Sequence, residues 1–284
     1  MKTVVITTAG MGTRLATISK SLPKTMLPIY VKSKKNNEKL FKPLLEIIFE
    51  NLFDFGFRKF CIIINPKFKN IIQSHFNSNP ELINLLKTRN HFHDKQFIKT
   101  NQSFESKISK SEIIWISQPT PMGFGDALLS AKNIVKEKNF LLHAGDTYFS
   151  NYNFLKNLID PILKYPSTDG SLLLENKKIL HGYGIAETKK INNQNVVMRV
   201  EEKPQKPKSN LVILPIYGFK STIFDALEKT KTGFNKELQI TDAIQTMISN
   251  NQKIVYHKMK YRWFDIGSPE RYKKAIDYSF KKKS

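Results

Sequence analysis

The segment Gly10-Met11-Gly12-Thr13-Arg14, followed ten residues after its arginine by Lys24 in Pro23-Lys24-Thr25-Met26-Leu27-Pro28, joins two glycines to two cations. Glycine lets backbone N–H groups close on an anion with no Cβ in the way, and an arginine fork plus a lysine point charge can grip a triphosphate. The plainer reading is a tight strand-to-helix turn with solvated cations, because turns use glycine constantly. The segment is no dinucleotide fingerprint, lacking the third glycine, and no Walker loop, lacking the Gly-Lys-Ser/Thr ending. Asp146 after Gly145 and Asp265 before Gly267 read, taken alone, as turn or helix-capping carboxylates. Lys203 sits in a lysine-rich stretch where a solvated charge is the ordinary outcome, and Gln118 could simply cap a strand.

Positioning these groups requires a scaffold that ends several strands at one edge. Thr3 to Thr8 is a β-rich run feeding the glycine turn, Pro43 to Phe55 carries apolar residues at helical spacing that close before Gly56, and Lys59 to Ile64 reads as the next strand. Strand, helix, strand implies a parallel pair with a right-handed crossover. The pattern repeats: helices over Pro66 to Phe76 and Pro80 to Arg89, a strand over Glu112 to Ser117, a helix over Asp126 to Lys136 and a strand over Phe140 to His143. A doubly wound sheet binds ligands at the carboxyl ends of its strands, where Gly10, Gln118 and Asp146 would fall. Gly170 to Leu174, Tyr183 to Glu187, Val196 to Glu201 and Leu211 to Phe219 read as shorter strands of a smaller, partly antiparallel sheet. Helices are expected at Ser221 to Glu228, Ile240 to Asn250 and Pro269 to Phe280. Two polar stretches without period, Lys32 to Lys39 and about His91 to Lys110, read as exposed loops.

The formal charge of +22 suggests nucleic acid when taken alone, but it comes from forty lysines and only six arginines spread along the chain. Diffuse lysine suits a solvated surface better than base recognition, which favours arginine forks, so no specific nucleic-acid partner is expected. No stretch approaches the roughly twenty apolar residues of a membrane span. The lone Cys61 sits in the apolar run Phe60-Cys61-Ile62-Ile63-Ile64 and reads as a buried strand residue. A soluble, cytoplasmic protein without a membrane partner is the expectation.

With these residues in view, the chain resembles the sugar-phosphate nucleotidyltransferases, nearest their bacterial-type UTP–glucose-1-phosphate uridylyltransferases. The likeness runs through Gly10-x-Gly-Thr-Arg14, Pro23-Lys24-x-Met-Leu-Pro28, Gln118-Pro-Thr-Pro-Met-Gly123, Asp146, Tyr183-Gly184-Ile185, Glu202-Lys203-Pro204, Ser209-Asn210-Leu211, the block Glu237 to Ile244, and Asp265-Ile266-Gly267. It implies a Rossmann-like three-layer α/β/α fold with a mixed central sheet and a smaller antiparallel sugar-binding sheet. One domain over 1–284 is implied, with a nucleotide-binding part (1–150), a sugar-binding part (151–250) and a metal-site strand with a C-terminal helix (251–284).

By the same resemblance, Ala9, Gly10, Gly12, Thr13 and Arg14 would hold a triphosphate with Lys24 on its phosphates, while Gln118 and Gly123 would meet the pyrimidine edge. Gly184 and Glu202 would contact the sugar, Lys203 its phosphate, and Asp146 and Asp265 would share one Mg²⁺. The substrates implied are UTP or dTTP and a sugar 1-phosphate, and a dimer or tetramer is expected. The chemistry asks for these residue types: a sugar-phosphate oxygen attacks the α-phosphorus in line and charge grows on pyrophosphate, so cations must sit on both anions and no covalent nucleophile is needed. The departures are Thr17 in place of a usual proline, a longer 32–42 segment, and His143-Ala-Gly-Asp-Thr147, whose Gly-Asp is closer to thymidylyltransferases. The segment from Gln73 to Arg89 favours the uridylyl branch. A thymidylyltransferase, a catalytically silent sugar-nucleotide-binding regulator and a nucleic-acid binder are the alternatives.

Overall fold

The computed structural model describes residues 1–32, 39–89 and 91–282. β1 (Thr3–Thr7) leads through a 3-10 turn into α1 (Ala16–Ser19), and a hairpin follows from β2 (Pro28–Lys32) and β3 (Lys39–Pro43). Next come α2 (Leu44–Phe55), β4 (Lys59–Ile64), α3 (Lys69–Phe76), α4 (Pro80–Arg89), α5 (Phe92–Ser109) and β5 (Glu112–Ser117). α6 (Phe124–Leu129), β6 (Asn139–Ala144), β7 (Thr147–Phe149) and α7 (Leu155–Lys164) complete the first half. The second half is β8 (Thr168–Asn176), β9 (Gly184–Ile191), β10 (Gln194–Glu202), β11 (Leu211–Lys220), α8 (Thr222–Lys229), α9 (Ile240–Ser249), β12 (Lys253–Lys258), β13 (Trp263–Asp265) and α10 (Pro269–Lys281).

Among the described residues one nine-stranded mixed sheet runs β5-β4-β1-β6-β11-β8-β12-β10-β9. β5, β4, β1 and β6 are parallel; β11 enters antiparallel to both β6 and β8. The antiparallel strands expected on the sugar side therefore continue the central sheet, which curls until β9 pairs back to β11 at Ile185↔Val212. Alternation along the strands divides the core into two layers. Val4, Ile6, Phe60 and Ile62 pack with α2, α3 and α7 on one face. Val5, Cys61, Ile63 and Leu142 pack with α6, α8 and α9 on the other. Near-continuous apolar strands are what a sheet covered on both faces requires, and the α/β class with helices on both sides is the fold adopted.

Three local differences from the sequence reading have physical causes. The stretch from His91 is not a loop, because α5 runs from Phe92 to Ser109 and buries Phe104 edge-on against Phe49. Its apolar stripe is thin, with Phe104 and Ile108 among polar residues, too weak a period to read. The helix expected over Asp126 to Lys136 stops at Leu129 and breaks into turns, in which Val135 N–H still donates to Ala131 O at 2.9 Å. Of the other expected loop, Lys32 and Lys39 pair as the ends of β2 and β3, and 33–38 lie outside the described residues.

Candidate functional site

The carboxyl ends of β1, β4, β5 and β6 open on one side of the sheet, and the loops leaving them form a cleft of about 490 Å³. Its glycine loop is locked from below. Gly12 adopts the left-handed conformation (φ 63°, ψ 38°), and Ser19 Oγ donates to Gly12 O at 2.7 Å. A Cβ on Gly12 would stand 3.0 Å from Ser19 Cβ, so both backbone and space select glycine. The 3-10 turn Thr13–Leu15 carries Arg14, whose Nη2 lies 3.5 Å from the position a Gly267 Cβ would take. The glycine loop and the Asp265-to-Gly267 segment thus meet across the cleft.

Lys24 follows Pro23, which holds the extended conformation that launches a second 3-10 turn. Its ammonium pairs with Asp146 and lies 3.6 Å from the Cβ position of Gly10. Asp146 projects from the sharp turn between β6 and β7. There Gly145 N–H donates to Thr7 O at 2.9 Å, and a Cβ on Gly145 would come within 2.8 Å of that same oxygen. Asp265 arrives on β13, antiparallel to β7 with Asp265 opposite Thr147, and Ile266 N–H donates to Asp146 O at 3.1 Å. A short two-stranded ribbon therefore brings together carboxylates more than a hundred residues apart. Asp265 Oδ1 accepts from Gly267 N–H at 2.7 Å, and Oδ2 pairs with Arg271 of α10.

At the far end, Gly184 opens β9 and Glu202 closes β10, opposite each other in register. Thr241 Oγ1 donates to Glu202 Oε2 at 2.7 Å, and Lys203 Nζ stands 2.8 Å from Glu202 Oε1. Lys203 holds a left-handed backbone (φ 44°), which turns its ammonium toward the Phe234 ring, 4.8 Å from the centroid. A Cβ on Gly184 would crowd both Thr241 Oγ1 and Glu202 Oε2 at about 3 Å, so glycine keeps this floor open. At the opposite end Gln118, buried at the tip of β5, donates Nε2–H to Asp126 Oδ2 at 2.6 Å. Gly123 (φ 116°) lies flat against the backbone of Leu238.

All the residues singled out by sequence line this cleft: Ala9, Gly10, Gly12, Thr13, Arg14, Lys24, Gln118, Gly123, Asp146, Gly184, Glu202, Lys203 and Asp265. Burial opposes the charge on Lys24, yet Asp146, with Asp265 adding, lifts its pKa above the ordinary lysine value. Burial likewise opposes the charge on Asp146, and Lys24 outweighs it, holding that carboxylate below the usual range. Both groups are therefore charged at neutral pH. Behind them His143 is fully buried, and desolvation holds its pKa down to about 4 despite its bond to Ala144 O.

Two hard-oxygen carboxylates, one at the turn into β7 and one on β13 beside it, suit a divalent cation that takes its remaining ligands from phosphates and water. Among the described residues no group of three or more His, Cys, Asp or Glu could hold a metal ion by itself. Sequence reasoning passed over two residues that the geometry brings in. Thr241 bonds Glu202, and Arg271, one of six arginines in a lysine-rich chain, holds Asp265.

A cleft that collects cations and carboxylates where parallel strands end suits phosphoryl-group chemistry, and the chain belongs to the nucleotidyl transferase family, whose model matches residues 3–281. Within that family the chain is similar to several uridylyltransferases. It is 29% identical over 280 residues, 97% of this chain and 92% of the other, to a provisionally named UTP–glucose-1-phosphate uridylyltransferase of Methanocaldococcus jannaschii. It is 28% identical over 291 residues (99% and 91%) to UTP–glucose-1-phosphate uridylyltransferase 2 of Streptococcus pyogenes serotype M3. A solved UDP-glucose pyrophosphorylase in complex with UDP-glucose superposes with a TM-score of 0.81, at 25% identity and over the whole of both chains. No described helix is long and apolar enough to cross a membrane.

Proposed function

We propose that this protein transfers the uridylyl group of UTP to α-D-glucose 1-phosphate, giving UDP-glucose and pyrophosphate. The observation that carries the reading is the charge layout of one cleft: Arg14 and Lys24 at the glycine loop, Lys203 at the other end, and Asp146 and Asp265 on the ribbon between. Two anions that repel each other need cations at both ends and a defined line between attacker and leaving group. The relatives' names supply the nucleotide and the sugar.

In this reading the loop N–H groups and Arg14 hold the β- and γ-phosphates, where the leaving pyrophosphate gathers charge. Lys203 fixes the sugar phosphate so that its oxygen faces the α-phosphorus, while Gly184, Glu202 and Thr241 receive sugar hydroxyls. Lys24 leaves Asp146 for the triphosphate as the nucleotide enters. Asp146 and Asp265 would hold Mg²⁺, which when bound neutralises phosphate oxygens and polarises the phosphorus under attack. No side chain forms a covalent bond to substrate.

The test is pyrophosphate release by purified protein with Mg²⁺, α-glucose 1-phosphate and, in turn, UTP, dTTP, ATP, CTP and GTP. Highest kcat/KM with UTP is expected. The His143-Ala-Gly-Asp-Thr147 segment, closer to the thymidylyltransferase pattern, makes dTTP the competing outcome. No turnover with any nucleotide would exclude the reading.

A further inference from the structure

The nucleotide end of the cleft holds a residue whose orientation is not free. Gln118 is 4% exposed, its backbone N–H donates to Ile64 O at 2.9 Å, and its side chain points Nε2 at Asp126 Oδ2, 2.6 Å away. An amide can usually be turned end for end, and which end is nitrogen is decided by its partners. Here the partner decides. An ionised carboxylate only accepts hydrogen bonds, so the NH₂ end must face Asp126 and the carbonyl end must face away. Among the described residues Gln118 Oε1 has no donor and is not sealed from solvent, and the residue lines the cleft. The amide therefore presents an acceptor to whatever occupies that end. Asp126 stands behind it in the first turn of α6, outside the cleft lining.

We infer that Asp126 is a positioning residue that biases the choice of base, by holding Gln118 so that a base offering a ring N–H donor pairs with it best. The inference rests on the nucleotidyl-transfer reading above, which puts the phosphates at the glycine loop and the sugar at Glu202. Gln118, Gly123 and Phe124 are then left for the base. Uracil and thymine carry N3–H, and guanine carries N1–H; cytosine and adenine offer a bare ring nitrogen there and a donor only on the exocyclic amino group beside it, so pairing with Oε1 would require the base to shift in the cleft. Held in the position that suits uracil, that nitrogen would face Oε1 lone pair to lone pair and leave two acceptors without a donor. Discrimination of roughly tenfold to hundredfold is expected from one such mismatch. Uracil and thymine share the N3–H, so this device does not separate UTP from dTTP.

The test compares UTP and CTP, both by equilibrium binding without sugar phosphate and by kcat/KM, in the wild type and in Asp126→Asn. The asparagine keeps the shape but can donate or accept, which frees Gln118 to present either end. The wild type is expected to favour UTP at least tenfold, and Asp126→Asn to cut that ratio about tenfold, chiefly by gaining CTP. Asp126→Ala serves as a second variant should the first unfold, with thermal melting as the control. An unchanged ratio in a folded variant, an equal loss for both nucleotides, or a wild type that does not prefer UTP to CTP would each overturn the inference while leaving nucleotidyl transfer standing. A wild type that binds no nucleotide would remove both.

Discussion

Each carboxylate of the central ribbon already has a cation: Asp146 pairs with Lys24, and Asp265 pairs with Arg271. On the proposed metal role, a divalent ion would have to displace these cations, so the two aspartates would stay neutralised until the nucleotide brings a stronger competitor. Changing either to asparagine keeps the shape and removes the ligand charge. Asp146→Asn and Asp265→Asn should each lower kcat/KM by about 100-fold or more with melting curves near wild type; near-normal turnover would remove them from the metal role. Arg271→Gln frees Asp265 Oδ2, and half-saturating Mg²⁺, read by a metal titration without sugar phosphate, should fall several-fold. His143 gives a pH effect of known sign. The unfolded chain protonates this imidazole near pH 6.5 and the folded chain only near 4, so its contribution is complete above pH 6.5 and is lost as pH falls toward 4. Urea unfolding at pH 5 should show about 2 kcal/mol less stability than at pH 7 from this group, and His143→Gln should flatten that difference.

Elements place these residues through close backbone contacts, and glycines mark where. At Gly123 a Cβ would sit 2.5 Å from Leu238 O on a backbone with φ 116°, so Gly123→Ala must move the segment entering α9 or twist its own. A loss of about 2–3 kcal/mol is expected, seen as a melting temperature lower by roughly 4–10 °C. An unchanged melting point would mean that the Leu238 contact yields freely. Here the limits of sequence reading become physical. β1, β4, β5 and β6 are continuous apolar runs ended by turns, so their boundaries were legible within a residue or two. α7 went unread because Pro161 sits inside it, and β7 and β13 because three residues carry no period. That ribbon is nevertheless what unites the two aspartates. Their meeting was expected from resemblance, whereas the strands that cause it, and the partners Thr241 and Arg271, appeared only in three dimensions.

For the whole molecule, +22 is the property hardest to place in a single site. Its natural counterpart is substrate: a triphosphate and a sugar phosphate are both polyanions, and a strongly positive surface raises their encounter rate in a salt-dependent way. Raising NaCl from about 50 to 500 mM, beyond which the screening length falls to a few ångströms, should lower kcat/KM several-fold through KM while kcat changes little. A salt-independent KM would leave the charge without a role in catalysis.

The central strand β11 carries one more consequence. Its first residues pair with β9 and its last with β6, and the ladder to β8 shifts register between them at Ile213 and Tyr217, across Pro215. The segment before it, from Pro204 to Asn210, is largely exposed and contains Lys208-Ser209, the peptide bond there most open to trypsin, since Lys203 and Lys206 both precede proline. Cutting it should yield two fragments that stay together, because the second is threaded through the middle of the first one's sheet. The break would fall five residues beyond Lys203, so the pair would remain folded and, on the role proposed for Lys203, would bind the sugar phosphate more weakly.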